Sequence, residues 1–197
     1  GHGASSIPLA NYASANMTDD LIQLMDELAI ESAYLVGHSY GGVIGMHAAS
    51  RHPSRVRGLI LSDTYFPGLR HLEPDMGQAD VWQDLRSTVR QAGVEIGVEV
   101  DFARLLRAVR DFDETLLKVI LREMGPAGAR LLSQIGNMAE TTAGREMFEE
   151  SGLTAARIAE VKTPVVALYD EFSPFDATCK FLTDNLGDCQ MDMVPKA

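Results

Sequence analysis

The sequence predicts an α/β fold: a mostly parallel sheet flanked by helices, with a helical insertion between two of its strands. Three observations carry this expectation. Short apolar runs alternate with helix-patterned segments, the signature of strand–helix–strand units. The runs are continuously apolar, as strands covered on both faces are. A long middle stretch then loses the strand pattern and reads as helix alone.

The elements follow in order. Residues 18–29 place Leu21, Ile22, Leu24, Met25 and Leu28 at helical spacing. Thr18 suits an N-cap, and Asp19 and Asp20 suit the positive end of the helix. The run Ala33-Tyr34-Leu35-Val36, closed by Gly37, has the length and character of a buried strand. Residues 41–51 pattern as a helix that closes near His52-Pro53, and 56–61 (VRGLIL) as a second strand. Residues 78–150 are helical in pattern, with Phe102, Leu105, Leu106 and Val109, and later Leu116, Leu117, Ile120 and Leu121. Residues 94–100 alternate only weakly, and Gly125-Pro126 divides the stretch. Strand pattern resumes at Pro164 with 165–169, a helix follows at 177–186, and a last strand at 190–194. The organisation expected is a sheet core at 1–69, a helical insertion at 70–150, and the returning core at 151–197.

Composition narrows the function classes. The chain has 197 residues, 46% of them apolar, which is enough for a packed core and argues against disorder. A formal net charge of −11 would repel nucleic-acid phosphates. No apolar run approaches the roughly 18 residues that cross a bilayer. Cys179 and Cys189 do not make a disulfide framework and suit a reducing, cytoplasmic setting as small apolar groups. No Cys/His spacing resembles a metal site, so no metal or other cofactor is expected.

One motif carries chemistry. Gly37-His38-Ser39-Tyr40-Gly41-Gly42 lies between an expected strand and an expected helix. A G-x-S-x-G sequence in that setting makes a sharp turn that lifts the serine hydroxyl above the sheet edge. Glycines beside it let strand and helix backbones pass closely. The next N–H, that of Tyr40, falls at a helix N-terminus, where it can stabilise an oxyanion.

On these residues the chain resembles the α/β-hydrolase superfamily over nearly its whole length. Gly1-His2-Gly3-Ala4-Ser5-Ser6 is similar to the turn after that family's fourth strand. The run from Leu35 to Gly42 is similar to its fifth strand and elbow, Arg55 to Asp63 to its sixth strand, 164–169 to its seventh, and 190–195 to its eighth. The family commonly carries a helical cap between its sixth and seventh strands, matching 70–150. The resemblance implies that four strands precede Gly1 and that the catalytic histidine lies a few residues beyond Ala197. On that reading the chain is a fragment, inactive by itself, of a parent serine hydrolase.

A serine hydrolase needs a carboxylate to orient its histidine. In many family members that acid sits in a G-x-x-D turn after the seventh strand. Here the turn reads Asp170-Glu171-Phe172-Ser173, with the aspartate at the glycine's place and a serine at the acid's. Other members place the acid at the end of the sixth strand, where this chain has Asp63. Asp63 is therefore preferred, with Glu171 and Asp170 behind it. His47 and His52 lie along the helix after the elbow, His2 belongs to its own turn, and His71 leads into the insertion. None fits the general base well. His38, Tyr65 and Phe66 are expected to bind substrate, with Pro67, Leu69, Trp82 and Met138 adding apolar lining. A small ester or a similar carbonyl compound is the substrate class expected. The irregular turn at 170–173 keeps a second reading open, a small-molecule receptor or degenerate hydrolase on the same fold.

Overall fold

The computed structural model describes residues 5–73, 78–91, 95–98, 101–111, 118, 122, 125–126 and 136–195. The chain divides into two compact units, one of residues 1–12 with 75–147 and one of residues 13–74 with 148–197. Residues 1–12 thus cluster with the middle of the chain, whereas the sequence reading put them with the sheet.

The second unit holds the sheet. Its strands are β1 (Ala33–His38), β2 (Val56–Ser62), β3 (Val165–Asp170) and β4 (Cys189–Val194). They lie side by side in that order, and every neighbouring pair is parallel. The register sets Leu35 beside Leu59, and Leu59 beside Val165, which faces Cys189. Helix α1 (Ser14–Glu27) precedes β1, and α2 (Tyr40–Arg51) joins β1 to β2. A single 3₁₀ turn, Pro53–Arg55, feeds β2, and a longer one, Pro67–Leu72, follows it.

The first unit is helical among its described residues, with α3 (Asp80–Arg90), α4 (Phe102–Arg110) and the short α5 (Ala143–Glu146). The chain then returns to the sheet unit through α6 (Ala155–Ala159) and, between β3 and β4, α7 (Asp176–Asn185).

Parallel strands need a cover, and one face of this sheet has it. Val43, Met46 and Ala49 of α2 pack with Leu59 and Leu61 of β2, Ala167 and Tyr169 of β3, and Leu182 of α7. Each fully buried leucine there contributes about 1.5–3 kcal/mol. Gly45 lets α2 come close, since a Cβ on it would stand 2.7 Å from Leu59 Cδ1. The other face is barer. Tyr34 and Val36 are 66% and 73% exposed, and the Arg57 guanidinium lies over the Tyr34 ring at 4.9 Å.

Helix α1 begins a turn earlier than the sequence pattern indicates. Ala13, not Thr18, is its N-cap. Thr18 is buried inside the helix, where its hydroxyl donates to the Ile44 carbonyl of α2. Ser14 is buried too and shares a 3.0 Å hydrogen bond with His47 Nδ1. Asp19 accordingly sits in the second turn and pairs with Arg51 at 2.9 Å.

In the helical unit Trp82, Val89, Ile96, Leu105 and Val109 form a core of their own. Asp101 caps α4 by accepting from the Arg104 N–H at 2.8 Å. Trp82 and Met138, expected to line a binding site, are both buried within this unit. Residues 95–98 form no strand. Leu116, Leu117, Ile120 and Leu121 lie outside the described residues, as do Gly1 to Ala4.

Candidate active site

The elbow forms where the motif puts it. β1 ends at His38, Ser39 stands alone at the bend, and α2 starts at Tyr40. Ser39 takes φ 52° and ψ −123°, a left-handed conformation that a side chain adopts only under constraint. Four features hold it there. Its N–H donates to the Ser62 carbonyl of β2 at 2.9 Å, and its carbonyl accepts from the Gly42 N–H at 3.0 Å. Gly37 has no room for a side chain, because a Cβ would run into the backbone of Gly41 and Gly42. Gly42 has none either, because a Cβ would overlap the Thr64 hydroxyl. Gly41, the second glycine of the motif, faces open space. The tight approach therefore depends on Gly37 and Gly42. Ser39 itself is exposed.

Asp63 closes β2 on the same side of the sheet, since Ser62 aligns with His38 across the β1–β2 pair. It too is left-handed, with φ 40°, and its N–H donates to the Leu168 carbonyl at 3.0 Å. Its Oδ1 is buried with no hydrogen-bond partner, a state that buried carboxylate oxygens rarely occupy. The negative charge of Asp63 reaches its neighbours. Burial first, then the charges of Cys179 and Asp63, pushes the Tyr169 hydroxyl above the ordinary tyrosine value. Burial, then Asp176, Asp63 and Glu73, pushes the Cys179 thiol up to about 12. Cys179 and Cys189 are free thiols.

The turn after β3 is arranged otherwise. Asp170 Oδ1 accepts from the Phe172 N–H at 2.6 Å, so this carboxylate is engaged in its own turn. Glu171 is exposed, and its N–H donates to the Val194 carbonyl. Ser173 is buried, and its Oγ has no partner.

The expected substrate residues separate. His38 is exposed at the end of β1. Tyr65 is half-buried, its ring 5.6 Å from that of Phe175 and 6.3 Å from that of Phe148, and its hydroxyl accepts from Arg70 Nε at 3.2 Å. Phe66 is fully buried in the sheet core, as is Leu69. Both are core packing, and neither offers a surface to a ligand. Among the histidines, His47 is buried with Ser14, His52 caps the end of α2, and His71 is exposed in the Pro67–Leu72 turn. Among the described residues no group of three or more His, Cys, Asp or Glu could hold a metal, and no helix is long and apolar enough to cross a membrane.

Thr64 and Tyr169 were not singled out by the sequence. Thr64 is fully buried against Gly42, and the Tyr169 hydroxyl donates to the Thr64 carbonyl at 2.8 Å. A buried tyrosine at a strand end must find a partner for its hydroxyl. That partner lies 105 residues away.

A sequence profile of the α/β-hydrolase fold matches residues 1–150. The chain belongs to the α/β-hydrolase family. Over 94 residues it is 34% identical to 3-oxoadipate enol-lactonase 2 of Acinetobacter baylyi, covering 48% of this chain and 32% of that protein. Over 66 residues it is 39% identical to RutD of Variovorax paradoxus, which carries the name of a proposed carbamate hydrolase, covering 33% of this chain and 25% of that one. These matches span a third or less of the relatives' own lengths. The crystal structure of the enol-lactonase from Burkholderia xenovorans superposes with a TM-score of 0.60 at 19% identity, over 98% of this chain and 68% of that one. The parallel four-stranded sheet flanked by helices is the α/β-hydrolase architecture.

Proposed function

We propose that Ser39 is the nucleophile of a hydrolase that cleaves a small ester or lactone, with Asp63 as the acid of its catalytic triad. The observation that carries this reading is the strained, left-handed Ser39, exposed between β1 and α2. Such strain persists only where surrounding structure enforces it, and it concentrates at reactive residues. Ser39 Oγ attacks the carbonyl carbon once a general base takes its proton. The Tyr40 N–H, in the first turn of α2, is the donor proposed for the developing oxyanion, with the helix dipole behind it.

Asp63 is preferred to the carboxylates after β3 on hydrogen-bonding grounds. The Asp170 carboxylate serves its own turn, whereas Asp63 Oδ1 is buried and unmatched. A buried carboxylate oxygen of this kind is suited to accept from the imidazolium of a general base. The kinship with an enol-lactonase makes lactones the first substrates to try. His38 and Tyr65 are the side chains proposed to meet substrate. A receptor role would leave both the strain at Ser39 and the unmatched oxygen of Asp63 without purpose.

The test uses the full-length protein that carries these residues. A fluorophosphonate probe should label it, and peptide mass spectrometry should place the adduct on Ser39. Absence of labelling, with a control hydrolase labelled in the same mixture, would refute the nucleophile assignment.

A further inference from the structure

We infer that Tyr169 is a positioning residue for the proposed acid: its hydroxyl fixes the β2 turn that aims Asp63. This rests on the assignment of Asp63 made above. Asp63 is held left-handed at φ 40°, a conformation that aspartate reaches more readily than most residues when its side chain hydrogen-bonds locally, yet here its Oδ1 has no partner. Something must hold the peptide that follows it. The Tyr169 hydroxyl does so by donating to the Thr64 carbonyl at 2.8 Å, from a ring that is only 1% exposed. Because burial keeps that hydroxyl protonated far above neutral pH, it remains a donor wherever the enzyme would work.

The same turn is braced from two other directions. The Asp63 N–H donates to the Leu168 carbonyl, the residue before Tyr169, so β3 grips the turn by backbone and by side chain together. The Thr64 side chain fills the space that Gly42 leaves in α2. One buried peptide thus couples the strand end bearing Asp63 to the helix whose N-terminus carries Ser39. A tyrosine serves where a phenylalanine would fill the same core, and the hydroxyl is the difference.

The variant to make is Tyr169→Phe in the full-length protein, beside Asp63→Asn and the double variant, assayed on a p-nitrophenyl ester from pH 5 to 9. Removing the carboxylate charge beside the general base lowers the base's pKa, so Asp63→Asn should move the acid limb of the rate profile to lower pH. Tyr169→Phe should move it the same way by a smaller amount and lower kcat about tenfold, with KM changed by less than about twofold. In the double variant the tyrosine change should cost little more, because its effect runs through Asp63. An unshifted acid limb, or a loss in the double variant equal to the product of the single losses, would overturn the inference and make Tyr169 a core residue only. A severe Asp63→Asn with a silent Tyr169→Phe refutes the inference alone. A silent Asp63→Asn refutes the acid assignment and the inference with it.

Discussion

The turn after β2 and the turn after β3 both open with an aspartate at the carboxyl end of a parallel strand, and the two aspartates are used in opposite ways. Asp170 spends its carboxylate locally, on the Phe172 N–H two residues on. Asp63 keeps one oxygen buried and unmatched while its backbone is held in a left-handed bend by contacts from β3. The first arrangement is what a turn needs for its own stability. The second costs stability, since a buried polar atom without a partner forfeits the hydration it had in water. On the proposed function, that oxygen is the acceptor held for the imidazolium of the general base.

Substitution separates the two most sharply. In the full-length protein Asp63→Asn should lower esterase turnover by roughly 10²–10⁴-fold, the range a misoriented general base produces. Its unfolding midpoint should stay level or rise, because a carboxylate whose Oδ1 has no partner gives up its charge. Asp170→Ala should do the reverse, with turnover within about threefold of the parent and stability lower by about 0.5–1.5 kcal/mol. Steady-state kinetics and urea unfolding on the two purified variants check both halves. An Asp63→Asn protein that is destabilised yet fully active would mean that the two turns are equivalent.

A smaller contrast lies within the elbow. Gly37→Ala forces a methyl group into the Gly41–Gly42 backbone, and Gly42→Ala forces one into the Thr64 side chain. Each should cost roughly 1–3 kcal/mol, Gly37→Ala the more because backbone yields least. Gly41→Ala meets nothing within 4 Å and sits in the first turn of α2. It should be neutral or stabilise by up to about 1 kcal/mol. Thermal unfolding of the three variants ranks them directly. A Gly41→Ala as damaging as the other two would mean that the crowding is not what the motif glycines relieve.

These contrasts also mark how far the sequence could be read. Strand positions were legible as short runs bounded by turn residues: 33–36, 56–61, 165–169 and 190–194 were expected, and β1 to β4 begin and end within two residues of them, although only β2 and β3 are largely buried and β4 is exposed along most of its length. Ser39 was legible because strand, turn and helix are adjacent in sequence. What the sequence hid was long-range. The start of α1 was misplaced because Ser14 and Thr18 look like surface or capping residues until His47 and the Ile44 carbonyl of α2 are seen to satisfy them. Phe66 looked like pocket lining because an apolar residue after a strand reads the same whether it faces a ligand or a core. The flanking glycines read alike in the motif, whereas sterics separate them: Gly37 and Gly42 have no room for a side chain and Gly41 does, and the obstacle at Gly42 is a threonine 22 positions on.

The clamp between α1 and α2 gives the smallest effect and the clearest sign. His47 is 4% exposed and shares its hydrogen bond with the buried Ser14. Burial, then the positive charge of Arg51, holds its pKa below the ordinary histidine value. The Asp19 carboxylate opposes this, and Arg157 and His52 reinforce it weakly. The unfolded chain, with His47 near its ordinary pKa of about 6.5, therefore binds a proton more readily than the folded one. The stability that neutral His47 supports is complete above that value and is lost as pH falls below it toward the depressed folded value. Urea midpoints measured between pH 8 and pH 5 should decline across the lower part of that range. In a His47→Gln variant, which keeps a polar side chain at Ser14 but cannot titrate, the decline should be shallower. Equal slopes in the two proteins would assign the acid sensitivity to other groups and leave the α1–α2 contact indifferent to pH.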